Sequence, residues 1–380
     1  TLDMELQTAV QERVDAAIGH YRAWGAGNIA VLVAERETGK VRAYIGSDDY
    51  FNQFASGSIN YARTRRSSGS TVKPFLYGLA LDTGSFSPAS IVADLPFSII
   101  GPEGEFSVGN FDDEYLGPML FRRALANSRN TPTIRVLEEV GLERSFELYR
   151  AAGLTDDVHN AAYYGYGLPV GGLYVTLEDL TAAYGILAND GLSFHLRWFE
   201  DEEPSAPPRR VLSEYAAREI TDILSDPLAR LPSFPRLSAL EFPFPVAIKT
   251  GTSQGFRDAW TVAYSRKYIV GIWIGHPANE PMNHISGSTA ALLLHDLMLL
   301  LHPDEARGIG IEPFPRPRNT VALEICALSG QPKGPDCPEV FLEYFKAGTE
   351  PYNTCPVHRR FRVNRATGEL ADADTPLSAT

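Results

Sequence analysis

The sequence predicts one α+β domain whose sheet is assembled from segments near both ends of the chain. The β-rich runs occupy residues 28–34, 41–45, 246–250, 260–264 and 268–274. The first two runs flank a turn at Thr38 and Gly39 and predict a hairpin. Residues 70–240, between the early and late runs, carry mainly helical patterns. Strands at both ends with helices between them indicate a sheet closed by distant segments.

Composition and proline placement predict how the chain is divided. Its 380 residues are 44% hydrophobic and 21% charged, which is ordinary for a globular protein with a sizeable core. Apolar residues at helical spacing predict a helix near the start, and Pro-rich stretches predict loops at 204–210 and 232–245. A third Pro-rich stretch predicts a boundary. We therefore expect a linker helix at 1–22, a main domain at 23–312 and a cysteine-containing extension at 313–380.

The charge balance excludes some partners. A formal charge of −13 argues against a nucleic-acid binder and against attachment to anionic lipid through a basic surface. The longest apolar run, 290–301, is too short for a membrane span and is interrupted by His295 and Asp296. Because the chain begins at Thr1 rather than Met, we expect an upstream segment to have been removed.

The first motif is Ser70-Thr-Val-Lys73, which places a hydroxyl and an amine three residues apart. Such residues are neighbours on a helix, and Pro74 predicts that the helix begins near Ser70. A serine needs an adjacent base to become a nucleophile, and burial lowers the pKa of a lysine enough for it to serve. Composition gives ~0.4 chance matches to Ser-x-x-Lys, so an isolated match is better explained by a capping serine and a solvated lysine.

The second motif is Ser128-Arg-Asn130. Its hydroxyl can relay a proton, and its amide can hold both a lysine and a substrate, because an amide donates and accepts. A Ser-x-Asn triplet is weak alone, since Ser58-Ile-Asn60 is a second copy in the same chain.

The third motif is Lys249-Thr250-Gly251-Thr252, at the end of an apolar run. Its cation and hydroxyls suit a substrate carboxylate, and Gly251 lets a substrate backbone approach closely. Composition gives only ~0.03 chance matches to Lys-Thr-Gly, so this motif is the more specific one. The alternative is a strand end with a solvated lysine.

The three motifs together resemble the penicillin-recognising serine acyltransferases, which are the penicillin-binding proteins and serine β-lactamases. The order is Ser-x-x-Lys, Ser-x-Asn and Lys-Thr-Gly, with separations of 58 and 121 residues. Three other stretches are similar to class A bifunctional penicillin-binding proteins, namely residues 1–7, 66–75 and 171–191. Residues 249–260, together with the cysteine-bearing tail, are most similar to the 1C subgroup of that class. The resemblance covers most of residues 1–360.

That resemblance implies an antiparallel five-stranded sheet flanked by helices and set against a mainly helical subdomain, with the active site between them. It implies a peptidoglycan D,D-transpeptidase that crosslinks stem peptides ending in D-Ala-D-Ala and is inhibited by β-lactams. No catalytic cofactor is implied. The expected location is the periplasmic face of the inner membrane, with a membrane anchor and a glycosyltransferase domain upstream.

The resemblance also implies a role for each motif residue. Ser70 would attack the penultimate D-Ala carbonyl, with Lys73 as proton acceptor and the backbone N–H groups of Ser70 and Thr252 as oxyanion hole. Ser128 would pass a proton to the leaving D-Ala, and Asn130 would orient Lys73 and the substrate. The residues expected to hold the substrate carboxylate and backbone are Lys249, Thr250, Gly251 and Thr252.

The tail contains all of the chain's cysteines. The candidate metal ligands are Cys326, Cys337, Cys355 and His358, which fall within 33 residues. Three thiolates and an imidazole suit a structural zinc ion, although only the final Cys-x-x-His spacing is typical of zinc sites. One disulfide with a free thiol, or three inert cysteines, remain alternatives.

Rival functions share the same motifs. A serine β-lactamase needs a base to hydrolyse the acyl-enzyme, and the sequence offers no obvious loop carboxylate, since Glu178 lies in a predicted helix. A D,D-carboxypeptidase uses the same site with water as acceptor. A non-catalytic peptidoglycan-binding scaffold is disfavoured, because all three motifs are intact. We expect structural roles for His276, His284, Asp258 and Trp260.

Overall fold

The structure is a computed structural model that describes residues 1–101, 104–155, 158–202 and 207–371. Its α-helices are α1 (Met4–Arg22), α2 (Lys73–Thr83), α3 (Phe121–Ala126), α4 (Asn130–Val140), α5 (Leu142–Ala151), α6 (Ala161–Tyr164), α7 (Leu177–Ala188), α8 (Glu214–Ser225) and α9 (Gly287–Leu301). Its strands are β1 (Asn28–Glu35), β2 (Val41–Ile45), β3 (Arg66–Ser67), β4 (Ile91–Asp94), β5 (Phe97–Gly101), β6 (Gly104–Val108), β7 (Gly117–Leu120), β8 (Tyr174–Val175), β9 (Ala247–Thr252), β10 (Asp258–Tyr264), β11 (Tyr268–Gly275), β12 (Thr320–Cys326) and β13 (Val340–Lys346).

The central sheet has the strand order β2-β1-β11-β10-β9, and every neighbouring pair is antiparallel. Asn28 of β1 lies opposite Gly275 of β11, so the early hairpin joins the late strands directly. Lys249 of β9 lies opposite Val262 of β10 and therefore stands on an edge strand. The predicted α+β class and five-stranded antiparallel sheet are confirmed.

Helices cover both faces of this sheet, which explains why its central strands are apolar throughout. Alternate residues of β1 enter two separate cores, because successive side chains of a strand point to opposite faces. Val31 and Val33 pack in the core that also contains residues of α1 and α9. Leu32 packs in the core that contains residues of α2, α7 and α8.

The helical expectation for residues 70–240 is correct for α2 to α8 but misses short strands. β4 pairs with β7, and β5 pairs with β6, within the helical subdomain. These strands are four or five residues long, which is too short for a periodic pattern to separate them from loops.

The terminal segments pack against the main domain. The helix expected to be a linker, α1, buries Val10, Val14 and Ile18 in the core that also contains residues of α9. The tail forms the β12–β13 hairpin, which we call the tail hairpin. Of the two expected surface loops, 232–245 has neither helix nor strand, and 204–210 lies partly outside the described residues. Among the described residues, no helix has both the length and the apolar character needed to cross a membrane.

Replacing Gly271 by alanine tests how closely α7 lies on the sheet. A Cβ atom there would stand 2.4 Å from Thr181 Oγ1 and 2.8 Å from Leu177 Cδ1. We expect Gly271→Ala to lower the free energy of unfolding by about 1–3 kcal/mol in urea denaturation, because overpacking displaces the helix. Gly19→Ala is the matched control. A Cβ atom at this exposed position of α1 meets nothing within 4 Å, so that variant should be as stable as the wild type or more stable. Equal stability of both variants would contradict the close contact.

Candidate active site

Residues of all three motifs meet between the sheet and the helical subdomain. The Nζ atom of Lys73, at the start of α2, donates to the Asn130 Oδ1 at 2.7 Å and to the Ser128 carbonyl at 2.5 Å. The Nζ atom of Lys249, on β9, donates to the Ser128 Oγ at 2.7 Å. The loop between α3 and α4 therefore contacts both lysines, one from each side.

The turn that carries Ser70 precedes its helix. Helix α2 begins at Lys73, so the expectation that it begins near Ser70 is wrong by three residues. Two buried phenols hold the turn: the Tyr184 hydroxyl donates to the Thr71 carbonyl at 2.7 Å, and the Tyr149 hydroxyl to the Val72 carbonyl at 3.2 Å. The Lys73 N–H still reaches the Ser70 carbonyl at 3.4 Å, which keeps the two residues adjacent within one tight turn.

Two glycines bring this turn directly onto β9. Gly69 has a φ of +52°, and a Cβ atom there would lie 2.7 Å from the Thr252 carbonyl oxygen. A Cβ atom on Gly251 would lie 2.6 Å from the Thr71 Cγ2. Glycine at 251 thus accommodates the turn that carries Ser70, a contact that the sequence did not indicate. The expected approach of a substrate backbone to Gly251 stays a prediction.

Asn130, the first residue of α4, is held by groups that no motif marked. Its Nδ2 donates to the Gly109 carbonyl at 3.0 Å, which leaves Oδ1 for Lys73. Its backbone N–H donates to the Asn110 Oδ1 at 2.8 Å, and the Asn110 side chain in turn donates to buried Asp94 at 2.6 Å. An Asn–Asp pair from a loop and a short strand has no spacing signature, so sequence patterns could not have found it.

Burial governs the electrostatics of the two lysines. Desolvation holds the pKa of Lys73 well below its usual value, and the nearby charges of Lys249 and Arg129 lower it further. Desolvation lowers the pKa of Lys249 to about 7, and the charge of Arg230 adds to this. A lysine that gives up its proton near neutral pH can accept one from a hydroxyl, and one that regains its charge can bind a carboxylate.

The two threonines of the third motif have different surroundings. The Thr250 carbonyl accepts a hydrogen bond from Lys249 Nζ at 2.7 Å. The Thr252 Oγ1 accepts a hydrogen bond from the backbone N–H of Gly287, the first residue of α9, at 3.0 Å. Thr252 is therefore fixed between β9 and α9.

Asp258 and Trp260, which we expect to be structural, have structural contacts, and the two histidines lie at or near the surface. Asp258 accepts hydrogen bonds from the Ser253 hydroxyl at 2.9 Å and the Trp273 indole at 3.0 Å, which ties the β9–β10 turn to the sheet. Trp260 is fully buried, and its indole N–H donates to the Ser67 carbonyl at 2.8 Å. His284 is exposed and His276 is half-buried beside a surface glutamate.

The alternative candidates lie among other partners. Asn60, from the second Ser-x-Asn copy, caps the short 3-10 helix at Tyr61–Arg63 with its side chain. The Glu178 carboxylate accepts a hydrogen bond from the Tyr44 hydroxyl at 2.8 Å and pairs with Arg63 at 3.3 Å. In the described part of the chain, neither side chain hydrogen-bonds to a residue of the three motifs, so neither competes with them.

The tail brings its three thiols and one imidazole together. One ligand atom from each of Cys326, Cys337, Cys355 and His358 lies within 4.8 Å of all the others. The His358 Nδ1 is 3.3 Å from the Cys326 sulfur and 3.5 Å from the Cys355 sulfur. None of the three cysteines forms a disulfide. The arrangement is compatible with a four-ligand metal site.

Family comparisons divide the chain in two. Residues 29–299 match the model of the penicillin binding protein transpeptidase domain, and residues 316–360 match that of the penicillin-binding protein 1A C-terminal domain. The chain is 34% identical to penicillin-binding protein 1C of Escherichia coli (strain K12) over 92% of its own length and 44% of that protein. It is 30% identical to penicillin-binding protein 1A of Aquifex aeolicus (strain VF5), over 87% and 46%. The chain spans about half the length of the curated relatives it matches.

Solved structures share the fold. Penicillin-binding protein 1A from Haemophilus influenzae superposes with a TM-score of 0.72 at 22% identity, over 87% of this chain and 54% of that one. The PonA1 protein from Mycobacterium tuberculosis, solved in complex with penicillin V, gives 0.64 at 21% identity, over 81% and 86%.

Lys249→Met tests the cost of burying this lysine. The pKa of Lys249 falls from about 10.5 when unfolded to about 7 when folded, so the unfolded chain binds more protons between these values. The free energy of unfolding of the wild type therefore falls as the pH falls through this window. Methionine cannot take up a proton, so it removes the pH dependence that Lys249 causes. We expect the stability gain of Lys249→Met over the wild type to be about 2 kcal/mol larger at pH 7 than at pH 9 in urea denaturation.

Lys333→Met is the matched control, because Lys333 is an exposed lysine on the tail. Its stability difference from the wild type should change little between the two pH values. An equally flat difference for Lys249→Met would mean that Lys249 keeps an ordinary pKa.

Proposed function

The chain belongs to the penicillin-binding protein transpeptidase family, and on that premise we propose that it is a peptidoglycan D,D-transpeptidase acting through an acyl-enzyme on Ser70. One observation carries the proposal. The buried amine of Lys73, three residues after Ser70, is held by Asn130 and by the backbone of the loop whose Ser128 hydroxyl contacts Lys249.

Acylation begins with the hydroxyl of Ser70. Its oxygen attacks the carbonyl carbon of the penultimate D-Ala, while Lys73, whose pKa is lowered by burial, takes the hydroxyl proton. The backbone N–H groups of Ser70 and Thr252 receive the negative charge that develops on the carbonyl oxygen. Asn130 orients the Lys73 amine by accepting one of its hydrogen bonds.

Collapse of the tetrahedral intermediate breaks the bond to the terminal D-Ala. Its amine leaves with a proton passed through the Ser128 hydroxyl, which accepts a hydrogen bond from Lys249 in the loop whose backbone holds Lys73. The terminal carboxylate of the donor peptide lies against Lys249, Thr250 and Thr252, and its charge favours the protonated form of Lys249. An amine from a second stem peptide then attacks the Ser70 ester, which forms the crosslink and regenerates the serine.

The cellular setting is part of the same proposal. Stem peptides ending in D-Ala-D-Ala are the substrates, and β-lactams acylate Ser70 in their place. We propose a full-length protein with a glycosyltransferase domain and a membrane anchor, working at the periplasmic face of the inner membrane. The curated relatives are about twice as long as this chain, which is compatible with such further segments. The chain's net charge of −13 agrees with a partner that is not a nucleic acid.

Penicillin labelling followed by intact-mass measurement tests Ser70. We expect one stable adduct that maps to Ser70 and persists for hours, because no carboxylate that could activate a water molecule is among the described hydrogen-bond partners of Lys73 and Lys249. Ser70→Ala should take up no label. Ser58→Ala, which changes the exposed serine of the second Ser-x-Asn copy, should label like the wild type.

Each other outcome points to a rival. Rapid consumption of penicillin without a lasting adduct would indicate a β-lactamase. A lasting adduct with hydrolysis of a D-Ala-D-Ala peptide, and no dimer when an acceptor amine is supplied, would indicate a carboxypeptidase. Absence of any adduct or turnover would leave a peptidoglycan-binding scaffold.

For the tail, we propose a structural zinc ion held by Cys326, Cys337, Cys355 and His358. Zinc–sulfur bonds of about 2.3 Å in a tetrahedron require ligand atoms roughly 4 Å apart, and the observed limit of 4.8 Å needs only a small contraction. Two of the cysteines are buried, which suits a site closed to substrate. The ion would add no step to the reaction, since these ligands lie in the family's separate C-terminal segment.

Metal analysis of the purified protein tests this site. We expect about one zinc ion per chain, lost in His358→Ala and retained in His284→Ala, which changes an exposed histidine elsewhere. Alkylation under non-reducing conditions with a chelator should then label all three thiols. One labelled thiol, with no metal, would mean a disulfide instead.

A further inference from the structure

An arginine at the start of α3 joins the tail hairpin to the catalytic region. The Arg122 side chain is buried, and its guanidinium donates to the Glu343 carboxylate of β13 through two bonds of 2.6 and 2.8 Å. Glu343 is fully buried as well. A two-bond arginine–carboxylate pair fixes both distance and orientation, so the hairpin and α3 are held in one relative position.

Neighbouring contacts also hold the tail hairpin against α3. Arg123 lies over the Phe341 ring at 5.9 Å and pairs with Glu339 at 3.2 Å, and both partners belong to the segment that leads through β13. Arg122 also pairs with carboxylates from α8 and the residue after it, which are Glu219, Asp222 and Asp226. Ion pairs thus connect helix α3 both to the tail hairpin and to α8.

Helix α3 leads directly into the Ser128 loop. Only Asn127 separates its last residue from Ser128, whose φ of +58° is unfavourable for a residue with a side chain. Such a conformation persists only when its surroundings hold it. After Ser128, Arg129 pairs with Asp94 at 2.8 Å and with Asp112 at 2.7 Å. Before Ser128, the position of the loop depends on the position of α3.

We propose that the tail hairpin is a brace for the active site, in which Glu343 is a positioning residue that sets the Ser128 loop through Arg122 and α3. The inference rests on the proposed function, because it assigns its effect to Ser128 and Asn130. The cysteine cluster lies at one end of this brace: Cys326 is the last residue of β12 and stands opposite Val340 at the start of β13. A zinc ion there would stiffen the end of the hairpin nearest Glu339 and Phe341.

Replacing Glu343 leaves α3 partly held, which makes the test practicable. Without Glu343, Arg122 keeps its carboxylate partners from α8, so the guanidinium is not left unpaired. Glu343→Ala removes the brace, and Glu343→Gln keeps the side-chain shape and one acceptor. Glu324→Gln is the matched control. It lies on the other strand of the hairpin, in a half-exposed pair with Lys333 away from α3.

The measurement is penicillin acylation of the full chain, with the rate constant at saturating penicillin separated from the labelled fraction at the end of the reaction. We expect Glu343→Ala to label completely but roughly ten-fold more slowly, because a small displacement of Ser128 and Asn130 weakens the chemical step. Glu343→Gln should fall between it and the wild type, and Glu324→Gln should match the wild type.

A merely structural role gives a different pattern. Loss of folded protein would reduce the labelled fraction at an unchanged rate constant, and that result in both Glu343 variants would overturn the brace. Wild-type rate constants in both variants would also overturn it while leaving the proposed function intact. Absence of labelling in the wild type would remove the proposed function, and the brace with it.

Discussion

The burial of two lysine amines around Ser128 is the constraint on which the rest of the site depends. Lys73 and Lys249 are removed from water, and among the described residues neither amine donates a hydrogen bond to a carboxylate. Each instead donates to carbonyl, amide or hydroxyl oxygens. Neutral acceptors satisfy the amines without stabilising their charge as a carboxylate would, so the pKa of each stays depressed. An ion pair at Lys73 would raise its pKa and keep the amine protonated, so that it could not accept a proton.

That constraint explains the tight construction around the lysines. The acceptors of Lys73 come from one short loop, and that loop must keep Ser128 at a positive φ to present both its carbonyl and its hydroxyl. The turn that carries Ser70 must lie directly on β9, which only glycine at 69 and 251 permits. Tyr149 and Tyr184 hold this turn through buried neutral hydroxyls that donate to backbone carbonyls, so they fix its geometry without adding charge.

Sequence reasoning predicted the motif residues but not the groups that support them. Ser70, Lys73, Ser128, Asn130 and Lys249 were predicted from three motifs whose order resembles that of a known family, and the structure brings the side chains of the latter four together. Tyr149, Tyr184 and Asn110 were not predicted. Each is hydrogen-bonded to the backbone of a residue 20 or more positions away in the chain, and such pairs leave no local pattern. The helix start at Lys73 was displaced for the same reason, since two distant phenols hold the preceding carbonyls.

The same reasoning explains why the α3–α4 loop needs outside support more than the other parts of the site do. Lys249 belongs to a strand of a five-stranded sheet, and Lys73 opens an eleven-residue helix. Helix α3 has six residues, which is too short for a helix to be stable without tertiary contacts. Its position must therefore come from what its side chains touch, and its two arginines touch α8 and the tail hairpin. A segment outside the transpeptidase match thus contributes to the geometry of a loop within it, because that loop's own helix cannot fix it alone.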